Sequence, residues 1–223
     1  MVVMEDVIAD DLTNQYVHLS IQGRNASSRL AQLLELPTLD ACETELEGAK
    51  VFVLRSRRTA MGGWDLWIPK NAKKAISRVR KAFESAPSET YDVLRIEAGI
   101  PAFGRDYTEK TLASELGKAF VERNVSFSKG CYTGQEVLMR IHSRGHTNRT
   151  WVGLFSDDPI TVGSPIKHRL NPSAGTVTSA AVSPEFGPIA AAMVRNEIAH
   201  DEEPVTVSTE SGEVRAEVRL MPF

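Results

Sequence analysis

Residues capable of chemistry gather in one stretch of the chain, SFSKGCYTGQEVLMRIHSRGHTNR, at positions 126–149. The stretch contains Cys131, one of only two cysteines, together with His142, His146 and several basic side chains. Three kinds of site can be built from such residues: a reactive thiol, a metal site, or a binding loop for an anionic ligand. The simplest alternative is an ordinary loop that leads into a helix.

Cys131 stands just ahead of a predicted helix. The residues from Thr133 to Glu136 have the T-x-x-E form of a capping box, which predicts a helix that begins at Thr133 and ends at Gly145. The positive end of a helix and a neighbouring ammonium group, here Lys129, both stabilise a thiolate. Cys131 is therefore a candidate reactive thiol. The alternative is a buried and inert cysteine in front of the helix.

The remaining residues of the stretch favour an anionic ligand over a metal ion. The two histidines are separated by a helix-ending glycine, and Cys131 is the only further ligand nearby, so we predict no metal site. Phosphate or carboxylate groups of a ligand fit the basic residues better, because only Glu136 opposes them. This basic cluster consists of Lys129, Arg140, Arg144 and Arg149. The alternative is a solvated basic face.

Glu97 is a second candidate, outside that stretch. It lies in the last turn of a predicted helix, where the negative end of the helix disfavours a carboxylate. Arg95 is too close in sequence to face it directly. A carboxylate in this position needs donors from elsewhere, and a planar ligand with adjacent N–H groups would supply them. The alternative is a salt bridge to another basic side chain.

The elements that must position these residues form two contrasting parts. The first reads as strand, helix, strand, strand and helix, in the segments 15–23, 25–36, 49–56, 64–69 and 70–83. This α+β pattern is typical of a ferredoxin-like layer. Short helices follow at 91–101 and from Glu109, and from Trp151 onward short alternating strands predict a small antiparallel barrel or sandwich. The predicted domains are 1–87, 88–150 and 151–223.

Composition limits the classes of function. The 223 residues are 42% hydrophobic and 25% charged, with a net charge of -3, which is typical of a soluble globular protein and excludes a globally basic nucleic-acid binder. Two cysteines cannot form a disulfide framework, and the acidic N-terminus does not have the pattern of a signal or transit peptide. No apolar run is long enough to span a membrane. We expect a cytoplasmic protein with no membrane partner and no direct binding to nucleic acid.

Three motifs, LRIEAGIPAFGRD, VSFSKGCYTGQEVLMRIHSRG and RTWVGL, follow one another in the order and spacing of a known family. With them the chain resembles the YgfZ/GcvT-related proteins, and KGCYTGQE resembles the signature of the YgfZ branch. The segment VHLSIQGRNASSRLAQLL is similar to an early strand and helix of the same family. The resemblance extends from about Asp11 to the end of the chain.

The resemblance implies a three-part fold around a central hole in which a tetrahydrofolate can sit, with a small barrel at the C-terminus. It implies that Glu97 contacts the folate pterin. It also implies that Cys131 is the functional thiol of a protein that supports the assembly or repair of iron-sulfur enzymes, tRNA-thiolating enzymes among them. The other candidates for folate contacts are Arg95, Lys129, Tyr132, Gln135, Arg140 and Arg144.

Two departures from the family leave other functions open. The chain is expected to begin where a longer N-terminal segment, which builds one wall of the folate hole, would already have ended. The aminomethyltransferase stretch TGE-x-G aligns near TAMGGWDLW, where Met61 replaces the glutamate. We predict a tetrahydrofolate-binding factor whose partners are folate and iron-sulfur proteins or their assembly machinery. The alternatives are a folate-dependent aminomethyl or one-carbon transferase and a non-catalytic remnant that acts through protein contacts.

Overall fold

The structure, a computed structural model, describes residues 8–223 of the chain, apart from the side chain of Arg144. The chain divides into two compact units between Ala86 and Pro87. Each unit has a hydrophobic core of its own. Within the described residues, no helix is both long enough and apolar enough to cross a membrane.

The first unit is a four-stranded antiparallel sheet with two helices. Its elements are β1 (Tyr16–Gln22), α1 (Ala26–Leu30), β2 (Ala41–Leu46), β3 (Ala49–Ser56), β4 (Gly63–Pro69) and α2 (Lys73–Ala82). The strands lie in the order β1-β4-β3-β2, and every neighbouring pair is antiparallel. The α+β class predicted for this part is confirmed.

The sheet has one covered face and one open face, because successive side chains of a strand point to opposite sides. On the covered face, alternate residues of β4 from Trp64 to Ile68 pack with apolar side chains of α1 and α2. On the open face, His18, Trp67 and Phe52 lie side by side on β1, β4 and β3. Trp67 is 37% exposed and Phe52 is 39% exposed, so the open face presents accessible aromatic side chains.

The second unit combines short helices with a barrel. Its helices are α3 (Ser88–Glu97), a 3-10 helix (Ala113–Leu116), α4 (Lys118–Asn124), α5 (Gln135–Arg144) and a second 3-10 helix (Asn196–Ile198). Its strands are β5 (Arg149–Ser156), β6 (Pro165–His168), β7 (Asn171–Ser183), β8 (Gly187–Arg195), β9 (Pro204–Thr209) and β10 (Gly212–Arg219).

These six strands form a closed antiparallel barrel in the order β10-β5-β8-β7-β6-β9. Alternate residues of the β9–β10 hairpin, Val205, Val207, Val214, Ala216 and Val218, are buried in its core. The predicted C-terminal barrel is therefore confirmed, including the hairpin that the alternation in the sequence predicts.

The helix predicted over 25–36 is shorter than expected. α1 ends at Leu30, and the backbone continues in tight turns, with the N–H of Leu33 bonded to the carbonyl of Leu30 at 2.9 Å. These turns carry Leu34 into the core. The strand β2 was not predicted, because its alternating residues are too polar to give a clear strand signal.

Two further predictions about helices are wrong. The helix expected from Glu109 is a 3-10 helix followed by α4, because Gly117 interrupts it with a φ of 85°. Thr133 does not cap α5. The cap position is Gly134, with a φ of 87°, and no side chain bonds to the free N–H groups at this helix start.

Candidate functional site

Glu97 is the last residue of α3 and is half-buried. Gly99 ends the helix with a φ of 62°, and its N–H donates to the carbonyl of Ile96 at 3.0 Å. A Cβ on Gly99 would lie 2.9 Å from the Cβ of Met221. The N–H of Phe223 also donates to the carbonyl of Glu97 at 3.1 Å. The end of α3 is thus fixed by the last residues of the chain.

The carboxylate of Glu97 is fixed through one oxygen only. The hydroxyl of Ser183 donates to Oε1 of Glu97 at 2.6 Å. Ser183 in turn accepts the N–H groups of Glu185 and Phe186, each at 3.0 Å, so its own proton is free to point to the carboxylate. Among the described residues no other side chain donates to Glu97, and the alternative salt bridge is not found there. The second oxygen is therefore available to accept an N–H group.

Arg95 is buried, with 1% of its surface exposed. Its guanidinium donates to Asp92 at 2.8 Å, to Asp106 at 2.7 Å and to the hydroxyl of Ser179 at 2.7 Å. Because these three partners lie on α3, on the loop after it and on β7, Arg95 joins the three elements. The contacts make it a positioning residue for the end of α3, and its predicted contact with folate stays a prediction.

Asp106, which was not predicted as a site residue, makes the burial of Arg95 possible. Its side chain is fully buried. It accepts the N–H of Ala102 at 2.8 Å and the hydroxyls of Ser179 and Thr178 in addition to the guanidinium. A buried ion pair is tolerated when its remaining hydrogen-bonding capacity is satisfied in this way. The only hint in the sequence is the position of Asp106 inside the quoted motif LRIEAGIPAFGRD.

Asp92 extends the network to the surface. Burial raises the pKa of Asp92, but hydrogen bonds from Arg105 and Arg95 outweigh it and hold that pKa below its ordinary value. The guanidinium of Arg105 donates to Asp92 at 2.6 Å. Both arginines border a cavity of 440 Å³ whose other wall is the barrel. This wall consists of Val162, Gly163, Thr176, Val177, Thr178, Ser179 and Ala180.

Cys131 lies on the exposed loop between α4 and α5. The alternative of a buried cysteine is therefore wrong, and a reactive thiol stays a prediction. The hydroxyl of Tyr132 donates to the carbonyl of Ser126 at 2.9 Å, which closes the loop on itself. The ammonium of Lys129 lies 4.9 Å from the centre of the Tyr132 ring, a cation-π contact. Lys129 and Tyr132 thus shape the loop that presents the thiol.

The helix after this loop is lightly packed. Among its described residues no side chain is buried, and Val137 and Met139 are 50% and 37% exposed. Gln135, its first residue, is half-buried. The imidazole of His142 stacks on the ring of Phe127 with centroids 4.2 Å apart. This contact joins α5 to the start of the cysteine loop.

The basic cluster is smaller than the sequence indicated. Arg149 donates to Glu115 at 2.8 Å, and this hydrogen bond raises the pKa of Arg149. Arg149 is therefore already paired with a carboxylate of its own unit. Lys129 and Arg140 are exposed and have no carboxylate partner among the described residues. The side chain of Arg144 lies outside the described residues.

Metal-binding side chains do not converge in the part of the chain that the structure describes. No group of three or more histidine, cysteine, aspartate or glutamate side chains there has the arrangement of a metal site.

The first unit also contains a buried carboxylate, Asp65, that was not predicted as a site residue. Asp65, on the open face of the sheet, accepts two hydrogen bonds from Nε of Arg58 at 3.0 and 3.1 Å and one from Nη2 at 2.7 Å. The Nε2 atom of His18 lies 3.3 Å away. Burial raises the pKa of Asp65, but hydrogen bonds from Arg58 and Ser20 outweigh it, so this pKa is lowered. An acidic residue between two apolar residues of one strand was the available signal.

Comparison with known proteins gives consistent matches along the chain. Residues 2–127 match the GCVT N-terminal domain, and residues 149–223 match the Glycine cleavage T-protein C-terminal barrel domain. The aminomethyltransferases of Synechocystis sp. and Halothermothrix orenii are each 28% identical, over 189 and 229 residues. Those alignments cover 81% and 95% of this chain.

A solved structure shares the fold. The crystal structure of glycine cleavage system aminomethyltransferase T from Bartonella henselae matches 93% of this chain with a TM-score of 0.75 and 23% identity. The chain spans only 59% of that protein, and 50% and 62% of the two curated relatives.

Proposed function

The chain belongs to the GcvT-like glycine cleavage T-protein family, and from this premise we propose that it is a tetrahydrofolate-binding factor of the YgfZ branch. Its role in this proposal is to support the assembly or repair of iron-sulfur proteins, including enzymes that thiolate tRNA. The observation that carries the proposal is the exposure of Cys131 on the loop KGCYTGQE. A thiol presented at the surface can meet a partner protein, whereas a buried thiol cannot.

The contacts around Cys131 suit a partner-facing thiol better than an enzymatic nucleophile. Among the described residues no side chain is hydrogen-bonded to the thiol as a base, and the imidazole of His142 is stacked on Phe127. One cysteine also cannot hold an iron-sulfur cluster by itself, because clusters require several ligands. In this proposal the remaining ligands come from the partner protein.

Folate binding rests on Glu97. The hydroxyl of Ser183 holds one carboxylate oxygen, and the other oxygen has no donor among the described residues. A pterin presents adjacent N–H groups in one plane, which is the donor pattern that such a carboxylate accepts. Tetrahydrofolate, when bound, supplies a carrier for one-carbon units. Lys129, Tyr132, Gln135, Arg140 and Arg144 remain the proposed further contacts, the basic ones for the glutamate tail.

Titration calorimetry of the full chain with tetrahydrofolate tests the folate role. Removing a charged acceptor costs about 1.5–3 kcal/mol, so Glu97→Ala should weaken binding roughly 10- to 100-fold. Glu89→Ala is the matched control, because Glu89 is an exposed glutamate at the start of the same helix. An unchanged affinity of Glu97→Ala for tetrahydrofolate would show that the ligand does not bind at Glu97. No heat from the wild-type chain would end the folate proposal.

The role of the thiol can be tested in cells whose iron-sulfur enzymes depend on this protein. Cys131→Ser should lower the activity of iron-sulfur enzymes and leave a metal-free enzyme unchanged. Cys42→Ser is the matched control, since Cys42 is the other cysteine and is half-buried in the first unit. Equal activity of iron-sulfur enzymes in both variants would contradict the proposal.

The second candidate is a folate-dependent aminomethyl transferase, and the names of the curated relatives favour it. Met61 opposes it, because a glutamate is expected at that position. A transferase would turn over an aminomethyl donor in the presence of tetrahydrofolate, which the maturation factor would not do. A non-catalytic remnant would bind a partner yet neither bind folate nor turn over a donor.

A further inference from the structure

The open face of the sheet in the first unit contains a cavity of 560 Å³. Ligand sites in proteins have volumes of about 300–1,000 Å³, so this cavity is large enough for a small molecule. It is built entirely from residues of the first unit. Its lining consists of Asp10, Asp11, Leu12, Thr13, Tyr16, Ala41, Cys42, Phe52, Leu54 and Trp67.

Three aromatic side chains form the wall of this cavity. The rings of Tyr16 and Phe52 have centroids 5.9 Å apart and are tilted by 51°. Trp67 lies beside Phe52 on the neighbouring strand. The imidazole of His18 stacks on the ring of Trp67, with the ring centroids 4.6 Å apart. Because these residues stand on paired strands, the backbone holds their positions. Phe52 and Trp67 are 39% and 37% exposed, so this aromatic surface is accessible to a ligand.

Two carboxylates stand at the same cavity. Asp10 and Asp11 are both exposed, and neither has a cationic partner among the described residues. Asp11 accepts the backbone N–H of Thr13 at 2.9 Å, which fixes its side chain. Hydrogen bonds from Thr13 lower the pKa of Asp11, so the group is ionised at neutral pH. Among the described residues, the cavity therefore combines aromatic walls with two carboxylates that have no cationic partner.

We propose that this cavity binds an organic cation, an alkylated ammonium group carried on an apolar or aromatic body. The face of an aromatic ring carries negative electrostatic potential and attracts ammonium groups, most strongly in tryptophan. Tyr16, Phe52 and Trp67 supply such rings, and the two aspartates add charge complementarity. The apolar body of the ligand fills the part of the cavity lined by Leu54 and Ala41.

Three small probes that share a phenyl ring test the proposal: benzyltrimethylammonium, neutral benzyl alcohol and anionic phenylacetate. Binding to the full chain is followed by tryptophan fluorescence. A second readout is titration calorimetry, which does not depend on the fluorescence of Trp67. The cation should bind about ten-fold more tightly than the neutral probe, and the anion should bind most weakly.

Variants separate the two parts of the site. The double variant Asp10→Asn/Asp11→Asn should reduce the preference for the cation, and Trp67→Ala should weaken binding of the cation and of the neutral probe. Asp157→Asn/Asp158→Asn is the matched control, because it removes two adjacent exposed carboxylates from the barrel unit. Equal affinity for all three probes would overturn the proposal. A chain that binds no probe and elutes as a dimer would overturn it too, and would assign the aromatic surface to a second copy.

Discussion

The Arg95 network and the Cys131 loop belong to the same compact unit, yet their side chains have opposite surroundings. Arg95 and Asp106 are buried charges whose hydrogen bonds are satisfied by protein groups from three elements. The loop with Cys131 and the helix after it have few packed side chains, and the described residues of α5 include none that is buried.

The residues of the Arg95 network hold the site in position, whereas the residues of the Cys131 loop are exposed to other molecules. A buried, fully bonded charge contributes by fixing its neighbours, here the end of α3 with Glu97. An exposed thiol on a lightly packed loop contributes little to stability and is available to another molecule. Variants in the two regions should therefore give opposite patterns of stability and function.

Asp106→Ala should have the largest effect on stability. It leaves the guanidinium of Arg95 buried without its main partner, and breaking a buried ion pair in this way costs about 3–5 kcal/mol. Urea denaturation measures the change in the free energy of unfolding. Asp157→Ala, at an exposed position of the barrel unit, is the control and should stay within about 0.5 kcal/mol. Equal stabilities for the two variants would show that Arg95 and Asp106 do not form a tight pair.

Glycine substitutions should give the next largest contrast. Gly99→Ala combines a positive φ with a clash near Met221, whereas a Cβ on Gly134 meets open space at a similar positive φ. The left-handed conformation alone costs about 1–2 kcal/mol, so both variants should lose stability and Gly99→Ala should lose more. Thermal unfolding of the two variants provides the comparison. A larger loss for Gly134→Ala would contradict the difference in packing.

Acidic pH should lower the stability of the protein, because protonation of Asp92 weakens its hydrogen bonds with Arg95 and Arg105. The lowered pKa of Asp92 means that its contribution is complete above the unfolded value of about 3.9, and is lost as the pH falls towards the folded value. Stability should therefore decrease with falling pH in this window. Asp92→Asn should show a smaller decrease when unfolding is followed between neutral pH and acid. Parallel pH profiles for the variant and the wild type would exclude this contribution.

The smallest effects on stability are expected in the cysteine loop. Cys131→Ala and Arg140→Ala change exposed side chains, so each should alter the free energy of unfolding by less than about 0.5 kcal/mol. Cys131→Ala should nevertheless lower the activity of iron-sulfur enzymes in cells. A large loss of stability in either variant would mean that this loop is packed more firmly than its exposure indicates.

Much of the fold follows from local patterns in the sequence. The alternation of Val214, Ala216 and Val218 predicts a barrel strand, and the position of Gly99 predicts the end of α3. The buried partners of Arg95 could not be predicted, because Ser179 and Asp106 are brought to it only by tertiary packing. The capping box at Thr133 failed for a related reason. A motif gives a side chain the chance to cap a helix, but here the backbone turns at the following glycine instead.

The pairing of β10 with β5 sets an order of events during synthesis. β5 is the first barrel strand to leave the ribosome and β10 is the last, so the barrel cannot close until its final strand has emerged. Until then one edge of β5 lacks its partner, and the apolar interior of the nascent barrel is open to water and to other chains. The sheet of the first unit is complete once β4 has emerged, well before that moment. Chaperones that protect this protein should therefore act on the second unit.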